Sequence, residues 1–331
     1  MRTGQSVSRW GGWLQRMVTL GSLLLAALLS ACQPAPEPTL RIGTNVWPGY
    51  EPLYLARDLA VFHEPKVRLV EYRSASQVIS GFQKGVIDLA AVTLDEAVRL
   101  AASGEPIEVI WIFDFSNGAD QVLARRDIQS VQDLKGKRIG VEESALGAFV
   151  LSRLLEMHQL QPNDVTVVSM GVSEHAQAMQ QGKVDAVITF EPEKSKVLQQ
   201  GGHSIFSSKQ LPGEIVDVLI ARKGPNRAFS DQDLIRTLFA YEQTLLRIKK
   251  DLPAHLPLLN RRMKLADTEL MLTFSEMGIP DRNEQLAFFR DRAKTSMLIE
   301  HYQTALLKQG YITSPCQCAD LLNPRYLEAL P

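Results

Sequence analysis

The feature that most constrains this chain is an internal repeat. Arg41-Ile42-Gly43 returns as Arg138-Ile139-Gly140, and Gly85 and Asp88 return as Gly182 and Asp185, always 97 positions later. Self-similarity at one fixed offset marks two copies of a single supersecondary unit. In each copy the aspartate opens a short apolar run that ends in threonine and an acid: LAAVTLD, closing on Asp95, and AVITFE, closing on Glu191. The first copy reads as the strand LRIGTN, a helix over 52–62 with Pro52 in its first turn, and the strand KVRLVEY. A helix over 74–85 follows, between a Ser74 cap and Gly85, and then the strand IDLAAVT. The second copy reads the same way: KRIGVE, a helix over 144–158, DVTVVSM, a helix over 173–182 and VDAVITF. Strands alternating with helices build parallel sheets covered on both faces. The fold class expected is therefore α/β, with two lobes that are each a sheet flanked by helices.

The segments VIWIFDFSNGADQVLARRD and PGEIVDVLIARKGP flank the second copy and read as crossovers between the lobes. Lobe 1 is expected from residues 40–120 and 217–331, lobe 2 from 121–216, with a hinge near 117–124 and 214–220. Beyond residue 223 long helical patterns over 230–250 and 283–310 read as packing helices of lobe 1.

The start of the chain differs in kind. Arg2, Arg9 and Arg16 precede an apolar run over 17–29, which suits a secretory signal better than a membrane anchor. The run ends in Leu29-Ser30-Ala31-Cys32, which resembles the bacterial lipobox, so residues 1–31 are expected to be removed and Cys32 lipidated. Residues 32–39 then form a tether, placing the protein in the periplasm on a membrane anchor. Cys316 and Cys318 read either as free thiols or as a local disulfide. A chain of 331 residues with 22% charged residues and a net charge of −1 has no basic block, which removes nucleic acid as a partner.

Open α/β sheets bind ligands beyond the carboxyl ends of their strands. In lobe 1 that rule selects Asn45, Trp47 and Tyr50 of the loop NVWPGYE, with Ser76, Thr93 and Asp95. It selects Glu142, Ser144, Thr189 and Glu191 in lobe 2, and Asp114, Ser116 and Glu214 at the crossovers. Acids dominate this set. Asp95 and Glu51 have ordinary explanations as a helix cap and a first-turn acid, whereas Asp114 interrupts an apolar run where an unpaired carboxylate is costly. Converging carboxylates favour a cation or a donor-rich molecule, while helix N-termini favour oxyanions. Whole charges outweigh half charges, so an amine-bearing ligand stacked on Trp47 is expected. No cofactor or metal is implied.

RIGTNVWPGYEPLYLARD, QKGVIDLAAVTLDEA, FSNGAD, DLKGKRIGVEESALGAF, GKVDAVITFEPEKS and LPGEIVDVLIARK occur in this order. Together with the lipobox they resemble the solute-binding lipoproteins of ABC importers in the nitrate, sulfonate, taurine and thiamine-pyrimidine-precursor group. The resemblance covers roughly residues 40–310. It implies the two-lobe periplasmic-binding-protein fold of type II, a monomer, closure on a small-molecule ligand in the cleft, and delivery to an ABC permease. The ligand it leaves open is an amine or pyrimidine, or alternatively an alkanesulfonate or nitrate. A membrane sensor is the alternative partner. A fungal pyrimidine synthase shares the fold, but this chain lacks a cysteine-rich motif in its cleft loops and any hydrolase, zincin or Walker signature, so it is not expected to be an enzyme.

Overall fold

In the computed structural model, residues 39–63, 66–142, 145–225 and 227–331 are described. The expected signal segment, Cys32, the tether up to residue 38 and Ser144 lie outside them. From Thr39 onward the chain forms one compact unit.

The first copy of the repeat folds as β1 (Thr39–Thr44), α1 (Glu51–Asp58), β2 (Lys66–Glu71), α2 (Ala75–Gln83) and β3 (Leu89–Thr93). The helix α3 (Leu94–Ala102) and the strand β4 (Ile107–Ser116) follow. After β5 (Gln121–Ala124) the second copy gives β6 (Arg138–Val141), α4 (Ala145–Met157), β7 (Thr166–Ser169), α5 (His175–Gln180) and β8 (Ala186–Thr189). Next come α6 (Glu193–Gln199), β9 (His203–Ser207) and β10 (Val216–Arg222). The remainder is α7 (Asp231–Lys250), α8 (Leu252–Leu259), α9 (Asp267–Ser275), β11 (Met277–Gly278), α10 (Arg282–Arg290), α11 (Arg292–Lys308) and α12 (Arg325–Glu328).

Two sheets result, in the orders β11-β4-β10-β3-β1-β2 and β7-β6-β8-β5-β9. The repeat strands pair in parallel, β2-β1-β3 in one sheet and β7-β6-β8 in the other. The crossover strands are the exception to the parallel sheets expected. β10 runs antiparallel to β3 and β4, and β5 runs antiparallel to β8 and β9. The chain leaves the first sheet at Ser116, enters the second at Gln121, and returns at Val216. A strand arriving from the opposite lobe starts at the cleft edge, where the parallel strands end, and therefore runs against them.

The repeated sequence makes repeated contacts. Arg41 Nε and Nη2 grip Asp88 at 2.9 and 2.7 Å, and the Arg41 backbone N–H also donates to Asp88. Arg138 does the same to Asp185, with side-chain distances of 3.0 and 2.9 Å. Each bidentate clamp ties the first strand of a copy to the residue that begins its third. Gly85 and Gly182 both adopt left-handed φ, +69° and +64°, where only glycine turns the chain without strain. Near the C-terminus Cys316 and Cys318 form a disulfide, which settles the two readings of that pair.

Candidate functional site

The loop after β1 turns through Pro48–Tyr50 directly into α1. Its two large rings are there to deliver donors. Trp47 Nε1 donates to Asp114 Oδ2 at 3.0 Å, and the Tyr50 hydroxyl donates to Asp217 Oδ1 at 2.5 Å. Asp114 on β4 and Asp217 on β10 are paired across the antiparallel ladder, and Asp217 also faces Thr93 at the end of β3. Two carboxylates in such a cross-strand pair repel when both are ionised. Gly49 lets the loop approach them, since a Cβ there would lie 1.9 Å from Asp114 Oδ2 and 2.5 Å from Trp47 Nε1.

Above these strands the two lobes enclose a small cavity of about 20 Å³, room for roughly one water. The first lobe lines it with Asn45, Trp47, Tyr50, Ala75, Thr93, Glu96 and Asp217; Asp120 of the crossover, Glu142, Leu146 and Phe190 complete it. Trp47 meets Phe190 edge to face, with centroids 5.3 Å apart. Trp47 thus spans the cleft as a ring-to-ring contact in this closed arrangement. Glu142 spans it in the other direction, its Oε1 accepting the N–H of Ala75 at the start of α2 at 3.1 Å.

The electrostatics are dominated by buried acids. Burial raises Glu142 to about 8, the neighbouring Glu96 adding to the shift and the Ala75 N–H opposing it. Burial likewise raises Asp95 to about 8, with the charge of Glu96 adding to it. Asp114 is raised to about 7, by burial first, against the pull of the Trp47 N–H. Asp120 rises to about 6 through burial, restrained by Ser116 and Lys194, and Asp217 is pushed well above the carboxylate range by burial and the charge of Asp114. Asp95 Oδ2, Asp114 Oδ1 and Asp120 Oδ2 accept no hydrogen bond among the described residues. Lys194 is a buried cation beside this group. Its Nζ lies 2.7 Å from Glu276 and 3.5 Å from Glu191, so it joins α6 of the second sheet to the end of α9 on the first.

Of the residues expected from sequence, Asn45, Trp47, Tyr50, Thr93 and Glu142 line the cavity, and Asp114 lies directly behind it. Ser76, next to Ala75, does not line it, and Thr189 is buried on β8 outside the lining. The other expected residues are engaged within the protein, and the reading of Asp95 as a helix cap needs correction. Glu191 binds Ser195 through its N–H and hydroxyl at 3.1 and 2.9 Å, bracing the start of α6. Glu214 is ion-paired with Arg153 of α4 at 2.7 Å, and Ser116 bonds Ser208 and the Asp120 N–H. Asp95 is not a cap: Thr93 precedes α3 and its N–H donates to Glu96, leaving Asp95 buried in the first turn. Asp120, Glu96, Phe190 and Asp217 were missed. Asp217 carried a readable signal, since like Asp114 it breaks an apolar strand run. Among the described residues no group of three or more His, Cys, Asp or Glu is arranged to hold a metal ion.

Comparison with known proteins adds the lineage. A protein of Escherichia coli (strain K12) named for binding aliphatic sulfonates is 25% identical over 193 residues, covering 56% of this chain and 60% of that protein. The 4,5-dihydroxyphthalate decarboxylase of Pseudomonas putida is 30% identical over 151 residues, 44% of this chain and 56% of the enzyme. The chain thus spans less than two thirds of the length of these curated relatives. The alkanesulfonate-binding protein of Xanthomonas axonopodis pv. citri superposes with a TM-score of 0.70 at 18% identity, covering 88% of this chain and 99% of that one. The profile described as NMT1/THI5-like matches residues 47–211, a stretch that runs from Trp47 of the cleft loop to the end of the second sheet. With two helix-flanked sheets closing on one cleft, the chain carries the fold of the periplasmic binding proteins, and its residues 47–211 match the NMT1/THI5-like family.

Proposed function

We propose that this protein is the solute-binding component of an ABC importer, exported to the periplasm and held at the membrane through lipid on Cys32. It closes its two lobes on a small molecule bearing a cationic amine or a protonated pyrimidine. The observation that carries the ligand class is Asp120, which lines the cavity with a buried carboxylate oxygen that has no hydrogen-bond partner among the described residues; Asp95 and Asp114, outside the lining but near enough to feel its charge, each hold another such oxygen. A buried acceptor without a donor is costly, and a buried unpaired carboxylate more so. A ligand ammonium supplies both charge and donors. Tyr50, Trp47 and Phe190 form the aromatic side of the same cavity, suited to a cation or a flat ring. The cavity as it stands takes no more than a water, so entry requires the lobes to part. The ligand then favours closure only through the contacts it makes in the closed form.

The names of the sulfonate-binding relatives favour a second reading, an anionic ligand. The same acids serve it differently: held protonated, they donate hydrogen bonds to an oxyanion. Proton counting separates the two. Acids whose ordinary values have been raised to about 6 to 8 are partly protonated at neutral pH. A cation displaces those protons, so its affinity rises with pH and binding releases protons; an anion takes protons up, and its affinity falls as pH rises. Titration calorimetry with alkylamines, aminopyrimidines and alkanesulfonates, each in two buffers of different ionisation enthalpy, reads this directly. Proton release with an amine or pyrimidine is expected. Saturable binding of a sulfonate with proton uptake, and none of an amine, overturns the cationic ligand and leaves the solute-binding role standing.

A further inference from the structure

Glu142 stands where the oxyanion of a ligand would sit. Its Oε1 accepts the N–H of Ala75, the first residue of α2, and both residues line the cleft cavity. The Gln77 and Val78 N–H groups of the same turn point back to Ser74, so the Ala75 N–H is a donor that α2 offers to the opposite lobe. A helix N-terminus suits an oxyanion, and here the acceptor comes from lobe 2 of the protein itself. The repeat shows that the fold does not demand an acid at this position. Asn45 is the counterpart of Glu142, 97 positions earlier; each directly follows the first strand of its copy, and each lines the cavity. A neutral amide serves in lobe 1. Independently, Asp120 marks the cavity as one that awaits a ligand, since its buried Oδ2 has no hydrogen-bond partner among the described residues.

We infer that Glu142 sets the specificity of the cleft: by holding the N-terminus of α2 itself, it excludes an oxyanion ligand and admits one that brings donors. This rests on the cleft being the solute site and sharpens that reading to a single residue. An oxyanion can reach the Ala75 N–H only by evicting the Glu142 carboxyl, which then stays in the cleft without its donor, so the bond gained is offset by the bond lost. Its charge also meets Asp120 across the same small space. A ligand ammonium needs acceptors and leaves the Ala75 N–H alone. Discrimination of this kind comes from the penalty set against the wrong ligand as much as from attraction to the right one.

Calorimetric titration of the purified full chain with 1-butanesulfonate and 1-butylamine at neutral pH tests this. Glu142→Ala vacates the seat and bares the Ala75 N–H, so the sulfonate should bind about tenfold or more tighter than to wild type. Glu142→Gln keeps the bulk and an acceptor for Ala75, and its sulfonate affinity should stay close to that of wild type. Glu142→Ser makes the same opening and takes the place of the alanine variant should that one fail to fold. Sulfonate affinity that is unchanged or lower in the opened variant overturns the inference, because Glu142 is then idle or a donor to the anion. A gain of sulfonate binding in the opened variant, with no amine binding by wild type, upholds the inference and removes only the cationic ligand. Amine binding by wild type without that gain does the reverse.

Discussion

At the scale of single residues the site rests on a close approach between a loop and two acids. The sequence made the loop WPGY conspicuous, and two aromatics on a turn do mark the cleft. What they grip was only half legible: Asp114 stood out within its apolar run, whereas Asp217 lay in a crossover whose strand direction and register the sequence does not encode. Gly49→Ala places a methyl group where Asp114 Oδ2 already sits. We expect a loss of about 1–3 kcal/mol, the usual scale of overpacking, seen as a lower thermal midpoint in calorimetry. An unchanged midpoint would show that the loop can lift off the strands. Trp47→Phe keeps an aromatic ring toward Phe190 but removes the donor to Asp114. Leaving that buried oxygen unbonded should cost about 1–3 kcal/mol and push the carboxyl of Asp114 further up, visible as a shift of its titration by NMR.

At the scale of elements, helices and strands set by apolar periodicity and caps were mostly readable. Ser74 caps α2 as expected, its hydroxyl accepting from Gln77 N–H. The run over 283–310 is instead two helices. Asp291 leaves helical geometry at ψ 76° and its carboxylate accepts the Lys294 N–H at 3.0 Å, ending α10 and starting α11. Periodicity passes through such a break because a capping residue inside a polar face leaves the apolar spacing intact. Asp291→Ala should therefore lower stability by about 1 kcal/mol, measured by urea denaturation. The duplicated clamps offer a comparison within one molecule. Asp88→Asn and Asp185→Asn remove the same bidentate partner from equivalent strands, and both should lower the midpoint; Asp185 also pairs with Arg125 at 3.0 Å, so its loss should cost more, and a larger effect at Asp88 would show that the clamps differ in energy.

At the scale of the whole molecule, the buried acids make stability depend on pH in an unusual direction. Asp95, Asp114, Asp120 and Glu142 bind protons more tightly in the folded state than in the unfolded chain. Where the native state holds more protons, stability falls as pH rises. The ligand-free protein should therefore lose stability between about pH 5 and pH 8. Asp185 is shifted the opposite way by its bond to Arg138; its contribution is present above its unfolded value and disappears as pH falls through the lower folded one, which limits stability on the acid side. Thermal midpoints across pH 3–9 check this, and a midpoint that climbs from pH 5 to pH 8 would mean that the cleft acids are solvated.

The order of strands in the first sheet also bears on how the protein is made. β10 sits between β3 and β4, yet it follows every strand of the second sheet in the chain. A nascent or newly translocated polypeptide can complete the second sheet once Ser207 has emerged, while β3 and β4 still wait for the strand that joins them. Domains tend to assemble as units in the order they become available, so the inserted lobe should mature first and the discontinuous one last. The half-built sheet, with unpaired edges at β3 and β4, is then the segment most in need of a chaperone during biogenesis.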